Sequence, residues 1–164
     1  MTAIQEAAAI AGIVNDGIYH PPTVVAQATD AAGNVVDVED REPRRIVSSK
    51  TSASVRDLME AVVDSDNGQK NLKLGAYTSG GKTGTAQRAD TTLGRYQGYV
   101  TSYLGFAPVN DPTLLTYVVV NNPRKGDTGT SVANPVFKDV MNLALPRYSV
   151  SPDARKHKPL PTTY

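Results

Sequence analysis

Apolar residues recur at helical spacing in two stretches of the first half of the chain. Thr2 and Gln5 form a capping box ahead of an alanine-rich run over 7–14, which predicts a buried helix with Gly17 as its C-cap. A second, half-buried helix is predicted to begin at Ser52, because the apolar residues after it lie three or four positions apart: Val55, Leu58, Met59, Val62 and Val63.

From Ser79 onward the pattern changes to that of β-strands. Three strands are predicted, over residues 80–87, 98–107 and 114–121. The run 114–120 is almost entirely apolar or β-branched, which predicts a central strand covered on both faces. A glycine-rich loop over 122–134 separates this strand from a third helix, which begins at Pro135 and continues to Leu145.

Weaker β patterns and polar segments connect these elements. Residues 23–27 and 35–38 are predicted to pair as a hairpin around Gly33-Asn34, a sequence typical of turns. The charged run 39–45 is expected to be a solvated loop. The remaining segments are predicted to be irregular: a polar loop over 64–78 and a proline-rich tail over 146–164 that begins ordered and then frays.

Composition limits the functions that the chain can have. The 164 residues include no cysteine, which excludes disulfides and cysteine-rich zinc sites. A net charge of +1 gives no reason to expect a nucleic acid partner, and no apolar stretch approaches the ~18 residues of a spanning helix. His20 and His157 stand alone without the spacing of metal ligands, so metal binding is not expected.

The segment with the clearest chemical character is the strand that begins at Gly80. Side chains alternate faces along a strand, so Lys82 and Gly84 would share one face, and Thr83 and Thr85 the other. Gly84 would let a ligand approach the backbone closely. Such a strand edge offers backbone N–H groups, two hydroxyls and a cation to a peptide that bears a carboxylate.

A phosphate-binding loop is the competing interpretation of the same residues. Gly81-Lys82-Thr83 matches the end of the motif Gly-x4-Gly-Lys-Thr, but the first glycine of the motif would fall on Ala76. Such a loop must also open a helix, and the residues after Lys82 have no helical pattern. Nucleotide binding is therefore not predicted.

The run Lys82-Thr83-Gly84 resembles the Lys-Thr-Gly signature of penicillin-binding proteins and serine β-lactamases. Four further segments are similar to blocks of class B penicillin-binding proteins, in family order and spacing: residues 2–7 to Thr-Pro-x-Gln-x-Ala, 102–108 to Ser-Phe-x-Gly-Phe-Ala-Pro, 118–123 to the next strand and 133–137 to Ala-Ala-Pro-x-Phe. The resemblance covers residues 1 to about 150. It implies the C-terminal part of a D,D-transpeptidase domain, which cross-links peptidoglycan.

The resemblance also implies a fold, partners and a location. The fold would be α/β, with helices flanking an antiparallel sheet, as part of the transpeptidase fold shared with serine β-lactamases, and no cofactor is implied. The family sheet has five strands, two of them from the upstream segment, so in this chain alone the strand over 114–120 is expected at or near an open edge. Residues 1–145 would be the C-terminal portion of the domain, and 146–164 a tail. The implied partners are the peptidoglycan stem peptide, β-lactams, the upstream remainder of the domain, and proteins of cell division or elongation. The location would be the extracytoplasmic face of the bacterial membrane, with an anchor in a segment preceding this chain.

The family's residue roles carry over to the Lys-Thr-Gly-Thr run. Lys82 would supply positive charge to the site, and the hydroxyls of Thr83 and Thr85 would bind the carboxylate of the peptide or of a β-lactam. The Thr85 N–H would form one arm of the oxyanion hole, and Gly84 would admit the substrate backbone. Lys82 and Thr85 are thus the expected catalytic residues, and all four are expected to bind substrate.

The family's nucleophile lies in a Ser-x-x-Lys motif that opens a helix, and this motif has no good counterpart here. Ser79-Gly80-Gly81-Lys82 has the spacing, but the two glycines disfavour a helix. The chain is therefore expected to be an enzyme fragment that is inactive alone. The alternative is a non-catalytic structural or interaction module of a cell-division protein. A Ser-x-x-Lys motif upstream in the full-length protein would favour the enzyme.

Overall fold

A computed structural model describes residues 1–36, 42–65, 72–92 and 94–154. The chain forms two compact units, residues 1–53 and 54–164, which are taken in turn below. Within the described residues the architecture is mixed α/β, with three α-helices, one three-stranded antiparallel sheet and two short two-stranded pairs.

The first helix, α1 (Ala3–Val14), begins where the capping box predicts. The Thr2 hydroxyl accepts a hydrogen bond from the Gln5 backbone N–H at 3.4 Å, and the Thr2 N–H donates to the Gln5 side chain at 2.8 Å. The helix is capped at its C-terminus by Asn15, so the prediction of Gly17 as the cap is wrong. Gly17 has a φ of +77°, and its carbonyl accepts hydrogen bonds from the chain just before the second helix.

Two short antiparallel pairs follow α1: β1 (Ile18–Tyr19) pairs with β4 (Arg44–Arg45), and β2 (Ala28–Thr29) pairs with β3 (Val35–Val36). The predicted hairpin around Gly33-Asn34 is confirmed, but its first strand is at 28–29 and not at 23–27. Asp30 places the turn, because its carboxylate accepts hydrogen bonds of 2.9 Å from the backbone N–H groups of Ala32 and Asn34.

The charged run predicted as a solvated loop is described only at its C-terminal end, since residues 37–41 lie outside the described residues. Arg44 and Arg45 form β4, so the prediction is wrong for these two residues. The Arg45 guanidinium donates to the Asp16 backbone carbonyl at 2.7 Å and pairs with the Asp16 carboxylate at 3.4 Å. These contacts fix the strand that the charge pattern did not predict.

The second helix, α2 (Ser49–Asp64), begins one turn earlier than predicted. The Ser48 hydroxyl accepts a hydrogen bond from the Thr51 backbone N–H at 3.1 Å, as an N-cap does. Ser52, the predicted cap, is fully buried within the helix. Of the predicted apolar stripe, Val63 is buried, whereas Leu58 is 64% exposed.

The main sheet consists of β5 (Gly80–Asp90), β6 (Arg95–Ala107) and β7 (Leu114–Asn121), in that order and antiparallel. All three strands were predicted, and the first two are longer than the sequence pattern indicates. In the described sheet β6 lies in the middle and β7 at an edge, so the central position that the apolar pattern of 114–120 predicts by itself is wrong. The edge position expected from the family resemblance for this chain alone is confirmed. Residues 103–107 of β6 are buried on both faces.

The third helix, α3 (Asn134–Arg147), packs on the sheet after a single π-helical turn over Gly129–Ala133. Pro135 lies in its first turn, as predicted. The Phe137 and Tyr103 rings are 4.8 Å apart between centroids. This contact belongs to a hydrophobic core. Its residues come from α2, from the segment that precedes β5, from β6, from the π-turn and from α3: Val63, Leu72, Leu74, Tyr103, Ala107, Ala133, Phe137, Met141 and Leu145.

Parts of the predicted loop and tail, residues 66–71 and 155–164, lie outside the described residues. The domain boundary at residue 145 stays a prediction. Across the described part of the chain, each helix is too short or too polar to cross a membrane.

We expect the 164-residue chain, taken alone, to self-associate through β7. Within the described sheet β7 pairs only with β6, and an unpaired apolar edge promotes pairing with another chain. Val119→Lys should weaken the association by adding a charge to β7. Val140→Lys on α3 is the control and should not weaken it, because Val140 is exposed to a similar extent, 42% compared with 44% for Val119. Sedimentation velocity at several concentrations tests this, and a compact monomer at every concentration would contradict it.

Candidate functional site

The residues predicted to form a site lie together on β5, at an edge of the sheet. Among the described strands β5 pairs only with β6, which leaves its other edge unpaired over 82–85. An edge strand directs unpaired N–H and C=O groups outward. This edge can therefore accept an extended peptide as an additional strand.

The register between β5 and β6 divides the four residues between two faces. The cross-strand pairs are Lys82 with Leu104, Thr83 with Tyr103, Gly84 with Ser102 and Thr85 with Thr101. Directly opposite residues share a face, so Lys82 and Gly84 lie on one face and the two threonines on the other. Thr85 is exposed and Thr83 is half-buried, which leaves both side chains within reach of a ligand at the edge.

Lys82 is exposed and is the charged residue of the segment 82–85. Its ammonium donates a hydrogen bond to the Thr83 backbone carbonyl at 2.9 Å and lies 3.5 Å from the Thr83 hydroxyl. Within the described residues, Lys82 forms no ion pair with a carboxylate. An ammonium group beside a hydroxyl, with no counter-ion, is suited to binding an anion.

Two glycines allow close packing at this point of the sheet. A Cβ on Gly84 would collide with the Ser102 hydroxyl, and a Cβ on Gly129 would collide with the Ser102 backbone carbonyl. A Cβ on Gly129 would also lie 3.1 Å from the Thr83 Cβ. The π-turn therefore packs directly against the middle of the site. The sequence pattern predicts only a glycine-rich loop here, so it missed this contact.

Several buried polar groups lie on the side of the sheet that carries the two threonines. The hydroxyls of Thr101 and Tyr103 and the amide nitrogen of Asn134 are buried without a hydrogen-bond partner among the described residues. Burial raises the pKa of the Tyr103 hydroxyl well above its ordinary value. Tyr103 is therefore neutral at physiological pH. Its hydroxyl packs against Gly81, where a Cβ would collide with it.

Other candidate groups are not brought into this site. Ser79 is buried immediately before β5 and continues into a strand, so the Ser79-to-Lys82 spacing lacks the helix that the family motif requires. In the described ranges, no three His, Asp or Glu side chains are grouped as metal ligands. His20 is described and exposed, whereas His157 lies outside the described residues.

Comparison with known sequences matches this chain to a domain family. Residues 1–142 match the sequence profile of the penicillin binding protein transpeptidase domain. Stage V sporulation protein D of Bacillus subtilis is 35% identical over 157 residues, which are 93% of this chain and 24% of that protein. The penicillin-binding protein PbpB of Mycolicibacterium smegmatis is 30% identical over 165 residues, with coverages of 93% and 26%. The chain thus spans about a quarter of the length of these two relatives.

Comparison with solved structures confirms the α/β fold. Penicillin-binding protein 3 of Mycobacterium tuberculosis, solved in complex with ampicillin, has a TM-score of 0.86 at 26% identity, over 98% of this chain and 38% of that one. The transpeptidase domain of penicillin-binding protein 3 from Burkholderia pseudomallei has a TM-score of 0.74 at 28% identity, over 94% and 45%. The antiparallel sheet with helices therefore corresponds to part of a larger domain.

Proposed function

The chain belongs to the penicillin-binding protein transpeptidase family, and we propose that it forms the substrate-binding part of a peptidoglycan D,D-transpeptidase. The observation that carries this proposal is the Lys82–Thr85 segment on the unpaired edge of β5. A stem peptide is extended and ends in a carboxylate. It can lie along this edge as an added strand, with its carboxylate beside the lysine and the two hydroxyls.

The proposed reaction is an acyl transfer in two steps. A serine hydroxyl from the rest of the domain attacks the carbonyl carbon of the penultimate residue, and the C–N bond to the terminal D-alanine breaks as D-alanine leaves with a proton. The amine of a neighbouring stem peptide then takes the acyl group from the serine. Lys82 stabilises negative charge in the site, and the Thr85 N–H donates to the carbonyl oxygen as it becomes an oxyanion.

β-Lactams are proposed to bind along the same strand. A penicillin carries a carboxylate next to a reactive amide, which matches the spacing of a peptide end. The half-buried Thr83 and the exposed Thr85 would hold that carboxylate through their hydroxyls. The structural likeness to a penicillin-binding protein solved with ampicillin supports this class of ligand.

The remainder of the transpeptidase domain is proposed to supply the nucleophile and to pair with the open edge of β7. None of the described helices α1, α2 and α3 begins with a Ser-x-x-Lys sequence.

We further propose that the full-length protein acts on the extracytoplasmic face of the bacterial membrane, held by an anchor, with proteins of cell division or elongation as partners.

We expect the 164-residue chain alone to form no covalent adduct with a penicillin, and the full-length protein to gain the mass of one penicillin. The hydroxyl of Ser79 is buried, and Ser79 is followed by a strand. Ser79 and Lys82 therefore do not share one face of a helix, as the serine and lysine of the family motif do. Intact-mass spectrometry after incubation with a labelled penicillin measures both proteins. An adduct on Ser79 would contradict the proposal that the nucleophilic serine comes from the remainder of the domain. No adduct on either protein would favour the non-catalytic module.

A further inference from the structure

The start of β5 is held by a carboxylate that lies 75 positions further along the chain. The Thr78 backbone N–H donates to Asp153 Oδ1 at 2.8 Å, and the Thr78 hydroxyl donates to Asp153 Oδ2 at 2.6 Å. Both oxygens of the carboxylate are thus engaged by a single residue. Thr78 lies two residues before β5 and four before Lys82, and both Thr78 and Asp153 are half-buried.

The same residues link three segments of the chain. The Thr78 hydroxyl also accepts a hydrogen bond from the Val109 N–H at 2.9 Å, just after the end of β6. The backbone N–H groups of Asp153 and Ala154 donate to the Ala76 carbonyl, at 3.2 and 3.0 Å. A further bond of 3.2 Å runs from the Tyr77 hydroxyl to the carbonyl of residue 150. Residues 150–154 therefore lie along the segment that leads into β5.

We propose that Asp153 is a positioning residue for Lys82–Thr85, acting through Thr78, and this inference rests on the transpeptidase function proposed above. Within the described sheet β5 pairs with β6 alone, so only one of its two edges forms hydrogen bonds to a neighbouring strand. Its placement then depends more on how its ends are held. Hydrogen bonds to an ionised carboxylate are about twice as strong as those between neutral groups.

The proposal assigns a role to residues that the sequence pattern places in a tail. The hydrogen bonds of Asp153 in the described part of the chain go to Thr78 and Ala76 and not to residues 82–85, and through Thr78 it fixes the entry of β5 relative to the end of β6. A small displacement of a binding strand lowers the rate of a reaction steeply, by up to about a hundredfold for 1 Å. Loss of the Asp153 carboxylate should therefore slow acylation and leave the chemical groups of the site in place.

The test compares the full-length protein with its Asp153→Ala, Thr78→Val and Thr78→Ser variants. The first readout is the rate constant of acylation by a fluorescent penicillin, with the number of reactive sites titrated separately. The second is hydrogen–deuterium exchange of the β5 amides. We expect Asp153→Ala and Thr78→Val to slow acylation roughly tenfold to a hundredfold per titrated site, and to speed exchange over 80–87. Thr78→Ser keeps the hydroxyl and should retain the wild-type rate.

Two controls separate positioning from a general loss of stability. Asp139→Ala removes an exposed carboxylate from α3 and should change neither readout. The double variant Asp153→Ala with Thr78→Val should be slowed by less than the product of the two single effects, because the bond between the Thr78 hydroxyl and the Asp153 carboxylate is lost in both single variants.

Each outcome decides the proposal. A normal rate per titrated site in Asp153→Ala would overturn it, even if the thermal midpoint falls, because Asp153 would then hold only the tail. If the wild-type protein takes up no penicillin, the transpeptidase function fails. Exchange over 80–87 then decides the structural part of the inference, and unchanged exchange in Asp153→Ala overturns it.

Discussion

Replacing Lys82 with alanine lowers the rate at which a penicillin acylates the full-length protein by about 100- to 1,000-fold, the scale of a lost oxyanion-site donor. The Lys82 ammonium lies beside the Thr83 carbonyl and hydroxyl, at 2.9 and 3.5 Å, and has no carboxylate partner in the described part of the chain. We therefore expect its charge to act on a bound ligand. The variant removes that charge from a strand whose other groups stay in place.

The measurement is stopped-flow mixing with a fluorescent penicillin. Lys50→Ala removes an exposed lysine from α2 and serves as the control, with no expected change in rate. Thr85→Val removes a hydroxyl donor to the ligand carboxylate, a hydrogen bond to a charged group worth about 1.5–3 kcal/mol, and should slow acylation by roughly 10- to 150-fold. Thr85→Ser should keep most of the rate. Unchanged rates in both Lys82→Ala and Thr85→Val would show that β5 is not part of the site.

Replacing Gly129 with alanine destabilises the full-length protein by about 2 kcal/mol, a typical cost of overpacking. The added Cβ would collide with the Ser102 carbonyl and lie 3.2 Å from the Gly84 carbonyl. Both neighbours are backbone atoms of paired strands, so they cannot rotate away. Alanine gains up to about 1 kcal/mol over glycine in a helical turn, which is less than the collision costs.

Gly84→Ala provides the matched comparison for this prediction. Its Cβ would meet only the hydroxyl of Ser102, which can turn to another rotamer, so the loss of stability should be smaller. We expect Gly84→Ala to lower the acylation rate more than the thermal midpoint, and Gly129→Ala to lower both. Calorimetry and urea unfolding measure the stabilities. An equal or larger loss for Gly84→Ala would contradict the role assigned to Gly129.

The local signals in the sequence predict most of the elements. The Thr2 capping box, the turn at Gly33-Asn34 and Pro135 in the first turn of α3 are each specified by neighbouring residues, and all are confirmed. Alternation along β5 likewise places Lys82 and Thr83 on opposite faces before any pairing is known.

What the sequence does not predict depends on partners distant along the chain. The apolar pattern of β7 alone predicts a central strand, whereas the family resemblance predicts the edge position that β7 has in the described sheet. One of its faces packs on α3, where the Thr116 hydroxyl lies 3.2 Å from the Met141 sulfur. Its edge position follows from strand order, which no local pattern encodes. The contact between Gly129 and Ser102 and the link between Thr78 and Asp153 arise in the same way, from tertiary packing.

The most direct test of β5 as the substrate-binding strand is a crystal structure of the full-length protein acylated by a penicillin. We expect the ligand carboxylate within about 3.2 Å of the Thr83 or Thr85 hydroxyl, and the acyl carbonyl oxygen at the same distance from the Thr85 N–H. A ligand whose carboxylate is held by other residues, with the edge of β5 left open to solvent, would contradict the assignment.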